Sequence, residues 1–450
     1  MTHTTDPSAD GPGGRRRAAI VAAVVLAALG VRLAYALAVA PRPYRDTDRY
    51  ERIALLLIER GEYATEPGHP TAFRPCLYPL FLAGLYRVVG PSHAAVGVAQ
   101  SLLGAAAVWL TVIAGARVLG WRGGVIAGAM LALSPLHVQS AGLLMTEDLF
   151  ALIFAGLVAL LAGTDRQPSL RTAVWVGLLG GLGALCRPTM LACVALLLAA
   201  MAATMYGRAW RRCLFVGVAA AVAALCLVPW AVRNRRALGS PIFMTTHGGY
   251  TLLLGNNPRF HFRVTEGRAE CGGVWPEADL RDWQAGLAAM TRGMTETESD
   301  RFLFRRALAF IRESPGGFAR RCLIKAGRVW RPIPHGVYGT AVRLGSGVFY
   351  GVVFVLAVVG LIRLRRRLHV ILPWLALCVA LTGVHAVFWA NIRMRAPLEP
   401  ILAILAAAAV TWRRRTARGS QSRGVPGSRS PVGPALPKPQ PDAENDQDPA

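Results

Sequence analysis

Long apolar stretches, each bounded by short polar or basic clusters, recur along most of this chain. A helix needs about 20 mostly apolar residues to cross the hydrocarbon of a bilayer. On that length the pattern predicts spans near 18–40, 93–117, 123–144, 147–163, 172–187, 188–206, 213–231, 345–362, 370–389 and 397–412. The first follows Arg15-Arg16-Arg17, yet its apolar stretch is too long for a signal-peptide core, and Pro41 after Ala38-Val39-Ala40 disfavours cleavage. It reads as a retained helix. No internal repeat stands out. The expected fold is an all-α polytopic membrane protein of about ten transmembrane helices.

The basic clusters orient these spans. Arg15 to Arg17, Arg117 with Arg122, Arg166 with Arg171, Arg208 with Arg211 and Arg212, Arg363 to Arg367, and Arg413 to Arg415 all fall on one side when ten spans are counted. That side is cytoplasmic by the positive-inside rule. The organisation expected is a cytoplasmic N-terminus (1–17), a transmembrane module (18–231) with a first outer loop at 41–92, an extracytoplasmic segment (232–344), C-terminal transmembrane helices (345–412) and a cytoplasmic tail (413–450). The Gly/Ser/Pro-rich tail reads as disordered. The first outer loop predicts a surface helix over 47–60, and amphipathic stretches near 298–313 and 317–330 suit an interface.

Composition agrees with a membrane protein. Hydrophobic residues make up 54% and charged residues 17%, with a mean hydropathy of +0.39. The net charge of +25 invites a nucleic-acid reading, but the basic residues punctuate apolar runs and no reader motif appears, so nucleic acid is excluded as a partner. The cysteines show neither CxxC spacing nor a dense framework. Cys76, Cys271 and Cys322 fall in outer segments and leave one disulfide open.

Charges that break the positive-inside pattern are the informative ones. Asp46 and Asp48 sit just beyond the first span, Glu147 and Asp148 open the fourth, and Arg187 lies between the fifth and sixth. Arg233, Arg235 and Arg236 follow Pro229-Trp230, and Arg393 and Arg395 with Glu399 lie where the ninth span turns into the tenth. All are expected at the outer face, where one site can collect them. The chemistry they suit is transfer from a lipid phosphate. Guanidinium groups bind phosphate oxygens bidentately and stay charged at an interface, and a carboxylate nearby can take the proton of an acceptor hydroxyl.

Plainer roles exist for each. Asp46 and Asp48 can cap and charge a helix N-terminus, as can Thr146 with Glu147. Outer arginines can snorkel to headgroups. Arg32, well inside the first span, must face protein or a cavity, and His385 suits a satisfied core position. Gly255-Asn256-Asn257-Pro258, after a strand-like apolar run, reads as an ordinary turn.

The order of motifs resembles the GT-C glycosyltransferases, specifically glycosyltransferase family 39 and its neighbours: bacterial relatives of the protein mannosyltransferases and the aminoarabinose transferases. The matching pieces are Asp46-Thr47-Asp48-Arg49-Tyr50, Arg74-Pro75-Cys76-Leu77-Tyr78-Pro79, Thr146-Glu147 and Leu185-Cys186-Arg187-Pro188. Pro229-Trp230-Ala231-Val232-Arg233-Asn234, Gly248-Gly249, Gly255-Asn256-Asn257-Pro258 and Arg393-Met394-Arg395-Ala396-Pro397-Leu398-Glu399-Pro400 complete the series. Thr47 stands where relatives often carry a second acid, and Cys76 where they usually carry Pro.

The resemblance implies a GT-C-like bundle that takes a sugar from a polyprenyl-phosphate donor and passes it, with inversion, to a glycan, lipid or protein acceptor at the outer face. It implies Asp46 as the acid of the first outer loop, with Asp48 its near competitor and Glu147 a secondary acid in the same cavity. Arg187, Arg233, Arg393 and Arg395 are the expected donor-phosphate ligands. No cofactor is expected, and a divalent metal, which some GT-C enzymes use, is not favoured. A transporter or flippase of lipid-linked glycans is the alternative function. It would call for repeat symmetry or paired sites on both faces.

Overall fold

The computed structural model describes residues 12–38, 49–260, 277–334 and 339–411. Asp46, Asp48, Cys271 and the tail 413–450 lie outside the described residues. The chain opens with α1 (Pro12–Ala38) and α2 (Tyr50–Arg60), and a two-stranded antiparallel ribbon of Ala64–Glu66 and His69–Pro70 leads to α3 (Leu77–Val89). The bundle continues with α4 (His93–Leu119), α5 (Trp121–Ala132), α6 (Pro135–Ser140), α7 (Glu147–Ala162), α8 (Leu170–Cys186), α9 (Met190–Thr204) and α10 (Ala209–Leu238). A second group follows: α11 (Gly248–Leu254), the single turn α12 (Pro258–Phe260), α13 (Glu277–Met290), α14 (Glu296–Glu313) and α15 (Pro315–Val329). Last come α16 (Thr340–Leu364), α17 (Leu368–Val387), a 3-10 segment (Ile392–Leu398) and α18 (Glu399–Thr411).

Among the described residues, six stretches are long and apolar enough to cross a membrane: Gly13–Ala38, His93–Leu119, Ala209–Leu238, Thr340–Leu364, His369–Val387 and Ile392–Thr411. The protein is an all-helical, multi-pass membrane protein. The other expected spans correspond to shorter helices, α5, α7, α8 and α9. α7 is buried on nearly every side, through Phe150, Phe154, Leu157, Val158 and Leu161.

Between helices in lipid there is little hydrophobic driving force, so close van der Waals approach has to supply the packing. The contact of α16 with α18 shows how. Ala406, Ala407 and Ala408 are fully buried, and a Cβ added at Gly360 would run into the Leu405 carbonyl oxygen. α10 packs on α8, α4 on α5 and α7, and α1 on α4. Val348, Val352 and Val355 on the outer face of α16 stay exposed, as lipid-facing residues should.

Two expectations need correction. The run 123–144 is not one helix: α5 ends at Ala132, Ser134 caps the next helix by accepting from the His137 amide, and Pro135 opens α6. Proline has no amide proton and clashes with the carbonyl four residues back, so the break is local chemistry that hydropathy alone did not weigh. The apolar run before Gly255 is the helix α11, not a strand. Cys76 and Cys322 are free thiols. The surface helix expected at 47–60 is present as α2, and the amphipathic stretches are α14 and α15.

Candidate active site

Glu147 and Asp148 are successive residues at the start of α7, so their side chains diverge by about 100° around the helix. Both are buried. Asp148 turns towards α6, where its Oδ1 accepts from Ser140 Oγ at 2.8 Å. Glu147 turns the other way, towards two arginines. Its Oε1 lies 3.0 Å from Arg187 Nη2 and 3.9 Å from Arg393 Nε, and its Oε2 has no hydrogen-bond partner among the described residues.

Local sequence sets each arginine. Arg187 precedes Pro188, and the proline ring pushes the residue before it out of helical conformation. Arg187 accordingly ends α8 in extended conformation (φ −144°, ψ 125°), which swings its side chain off the helix axis. Its Nε donates to Thr146 Oγ1 at 2.6 Å, and its guanidinium lies over the Phe150 ring. Asn391 caps the 3-10 segment by accepting from the Arg393 amide at 2.9 Å. That tight turn presents Arg393, still partly exposed, to Glu147.

Two predicted arginines stand apart from this cluster. Arg233 donates to the carbonyls of Thr71 and Tyr63, both at 2.6 Å, and to Asn234 Oδ1 at 2.9 Å, and lies over the Tyr63 and Trp230 rings. It ties α10 to the segment that leads into Arg74-Pro75. Arg395 is fully buried, donates to the carbonyls of Val329 and Arg331, and has Nε 4.0 Å from Glu399 Oε1.

The first outer segment returns to the described residues at Arg49, whose φ of 59° makes it the one non-glycine residue in left-handed conformation among them. Tyr50 follows and packs edge-on against Tyr78. Arg74 lies over the Tyr50 and Phe73 rings. His385 lies near the end of α17, where its Nδ1 pairs with the Trp389 carbonyl at 3.0 Å.

One side chain that braces this region escaped sequence reasoning altogether. Glu296 accepts from Thr71 Oγ1 (2.7 Å), the Ala72 amide (2.9 Å) and the Thr246 hydroxyl, so α14 clamps the segment between the ribbon and α3. The available signal was the capping box of Thr295 and Glu298, which starts a helix there and sets Glu296 in its first turn. Outside the spans, burial raises the Asp300 carboxyl, whose Oδ1 accepts from the Gly249 amide. Burial also lifts the Cys76 thiol to about 12.

The cluster therefore holds one carboxylate between two guanidinium groups. Its excess positive charge sits in a low-dielectric surrounding and favours one further anion, and the planar forks suit phosphate oxygens.

Residues 73–232 match the family described as dolichyl-phosphate-mannose-protein mannosyltransferase. A solved structure of the oligosaccharyltransferase AglB from Archaeoglobus fulgidus, in complex with an inhibitory peptide and a dolichol-phosphate, is similar at TM-score 0.51 and 14% identity, over 87% of this chain and 50% of that one. ArnT from Cupriavidus metallidurans, bound to undecaprenyl phosphate, gives TM-score 0.42 and 17% identity over 89% and 78%. The chain spans about half the length of the oligosaccharyltransferase structures it matches. No protein of curated function matches it.

Proposed function

We propose that this chain, by fold a member of the GT-C superfamily, is an integral membrane glycosyltransferase. It takes a sugar from a polyprenyl-phosphate donor and passes it to an acceptor hydroxyl at the outer face, with inversion. The observation that supports this most is the Arg187–Glu147–Arg393 cluster at one end of the bundle. In this reading Arg187 and Arg393 receive the donor phosphate, and Glu147 holds the two guanidinium groups in register for it. Asp46 takes the proton of the acceptor hydroxyl, with Asp48 two residues on. The oxygen then attacks the anomeric carbon from the face opposite the phosphate, the glycosidic bond to phosphate breaks, and the departing charge falls on the arginines. The reading draws on no metal ion. Arg233 and Arg395 become braces: Arg233 donates through both Nη atoms to the Thr71 and Tyr63 carbonyls, and Arg395 through Nη1 to those of Val329 and Arg331.

The test uses purified protein in nanodiscs, a panel of radiolabelled polyprenyl-phosphate sugars and a membrane extract as acceptor. Wild type should transfer label. Asp46→Asn should lose transfer by at least about a hundredfold while keeping donor affinity, and Arg187→Gln should lose donor affinity as well. Tight binding of a donor with no transfer by wild type would favour the flippase, and no binding of any donor would overturn both.

A further inference from the structure

α4 is long and apolar enough to cross a membrane, yet it buries a glutamine, Gln100. An amide enclosed there has to find its partners within the protein. Its Nε2 donates to the carbonyls of Leu143 at 2.7 Å and of Ser140 and Ala141 at 3.3 Å. Its Oε1 accepts from the Tyr78 hydroxyl at 2.7 Å. Carbonyls only accept, so they fix which end of the amide faces them, and Tyr78 has to be the donor at the other end.

Those three carbonyls close α6 and begin the turn to α7. A helix end leaves its last carbonyls without an intrahelical donor, and here Ser140 and Ala141 are buried. Gln100 supplies a donor from α4. Three residues after Leu143 the same turn delivers Thr146, and then Glu147, to the candidate site. Thr146 Oγ1 accepts from Arg187 Nε at 2.6 Å, and Glu147 Oε1 lies 3.0 Å from Arg187 Nη2. Leu144 packs in one apolar cluster with Tyr50 and Tyr78. Tyr78 thus meets the turn twice, through that cluster and through Gln100.

We propose that Gln100 is a positioning residue for Thr146 and Glu147, with Tyr78 setting its amide. Its hydrogen bonds end at the backbone of the turn, and the turn presents both side chains to Arg187. Its part in donor binding rests on the reading of the Arg187–Glu147–Arg393 cluster as the phosphate-binding centre; its hold on the turn does not.

Hydrogen exchange of the protein in nanodiscs, read by mass spectrometry, reports on the turn, and binding of undecaprenyl phosphate reports on the site. Gln100→Leu keeps the size of the side chain and removes the donor, while Tyr78→Phe keeps the ring and removes one hydroxyl. Amides of residues 141–147 should exchange at least about tenfold faster in Gln100→Leu and about threefold faster in Tyr78→Phe, with α16 and α18 unchanged. Adding Tyr78→Phe to Gln100→Leu should speed exchange no further, because the hydroxyl acts through the amide. Kd for undecaprenyl phosphate should rise at least about fivefold in Gln100→Leu and about twofold in Tyr78→Phe. A mere loss of folded protein would lower the number of binding sites and leave Kd alone. Wild-type exchange in Gln100→Leu overturns the proposal, and so does faster exchange with an unchanged Kd, which would make Gln100 a brace of the turn alone. If Gln100→Leu does not fold, the same outcomes in Tyr78→Phe decide. If wild type binds no undecaprenyl phosphate, the phosphate-binding reading fails; faster exchange then still supports the hold of Gln100 on the turn, and wild-type exchange overturns it.

Discussion

Lys325 is one of two lysines among the chain's 50 basic residues, and it is fully buried. Its ammonium donates to the carbonyls of Val387 (2.8 Å), Phe388 (3.2 Å) and Gly255 (3.3 Å) and to Asn256 Oδ1 (3.2 Å). These groups close α17 and α11, where a helix presents its negative end. None of the four is a carboxylate, and burial pushes the ammonium down from 10.5 to about 8. Between those two pH values the unfolded chain holds a proton that the folded one has released, so stability rises with pH through that window and is flat below it. Thermal unfolding of wild type against Lys325→Met should show a relative gain for wild type on the order of 3 kcal/mol between pH 8 and 10.5. A flat difference across that window contradicts the assignment. Sequence reading singled out Glu147, Arg187 and Arg32 because each is a charge in an apolar run. It passed over Lys325, which stands among the arginines of an amphipathic helix and looks there like one more solvated cation.

Elements were legible where hydropathy fixes them and obscure where a single residue does. The long spans read directly from their apolar runs. The break at Ser134-Pro135 and the 3-10 turn that presents Arg393 depend on caps and prolines within otherwise permissive sequence. The turn after α11 belongs to the same class. Read as an ordinary turn, Gly255-Asn256-Asn257-Pro258 is in fact a junction. Asn256 Nδ2 donates to the Leu252 and Val387 carbonyls, Asn257 Nδ2 to those of Leu253 and Leu254, and a Cβ at Gly255 would run into the Phe388 carbonyl oxygen. The two elements touch backbone to backbone, so Gly255→Ala should cost about 1–3 kcal/mol through overpacking. Gly84→Ala, where a Cβ would meet nothing, serves as the control. Equal Tm for the two variants would mean that α11 and the end of α17 separate freely.

Across the whole transmembrane unit, charge is segregated by end. Arg117 donates to the Ala159 carbonyl and Arg367 to that of Val118, and both line one cavity with Thr164, Asp165 and His369. That cavity lies at the C-terminal end of α7. Glu147 lies at the N-terminal end, about 24 Å away over 16 residues at 1.5 Å each. Two of the arginine clusters that sequence reading assigned to one side, those of Arg117 and of Arg367, thus meet at one end, opposite the candidate site. In two variants that each keep a single cysteine, impermeant maleimide on intact cells should label Arg292→Cys, introduced in the turn before α14, and leave the exposed native Cys213 at the start of α10 unlabelled. The reverse pattern would invert the topology.

Arg32 bears on how the chain is made. An arginine in a nascent hydrophobic segment costs up to about 3 kcal/mol at the translocon, and α1 emerges before α4 is synthesised. Arg32 is buried only against later helices, and Gly104 of α4 leaves the room that its side chain occupies. The first helix therefore completes its own burial only after the chain has returned to it.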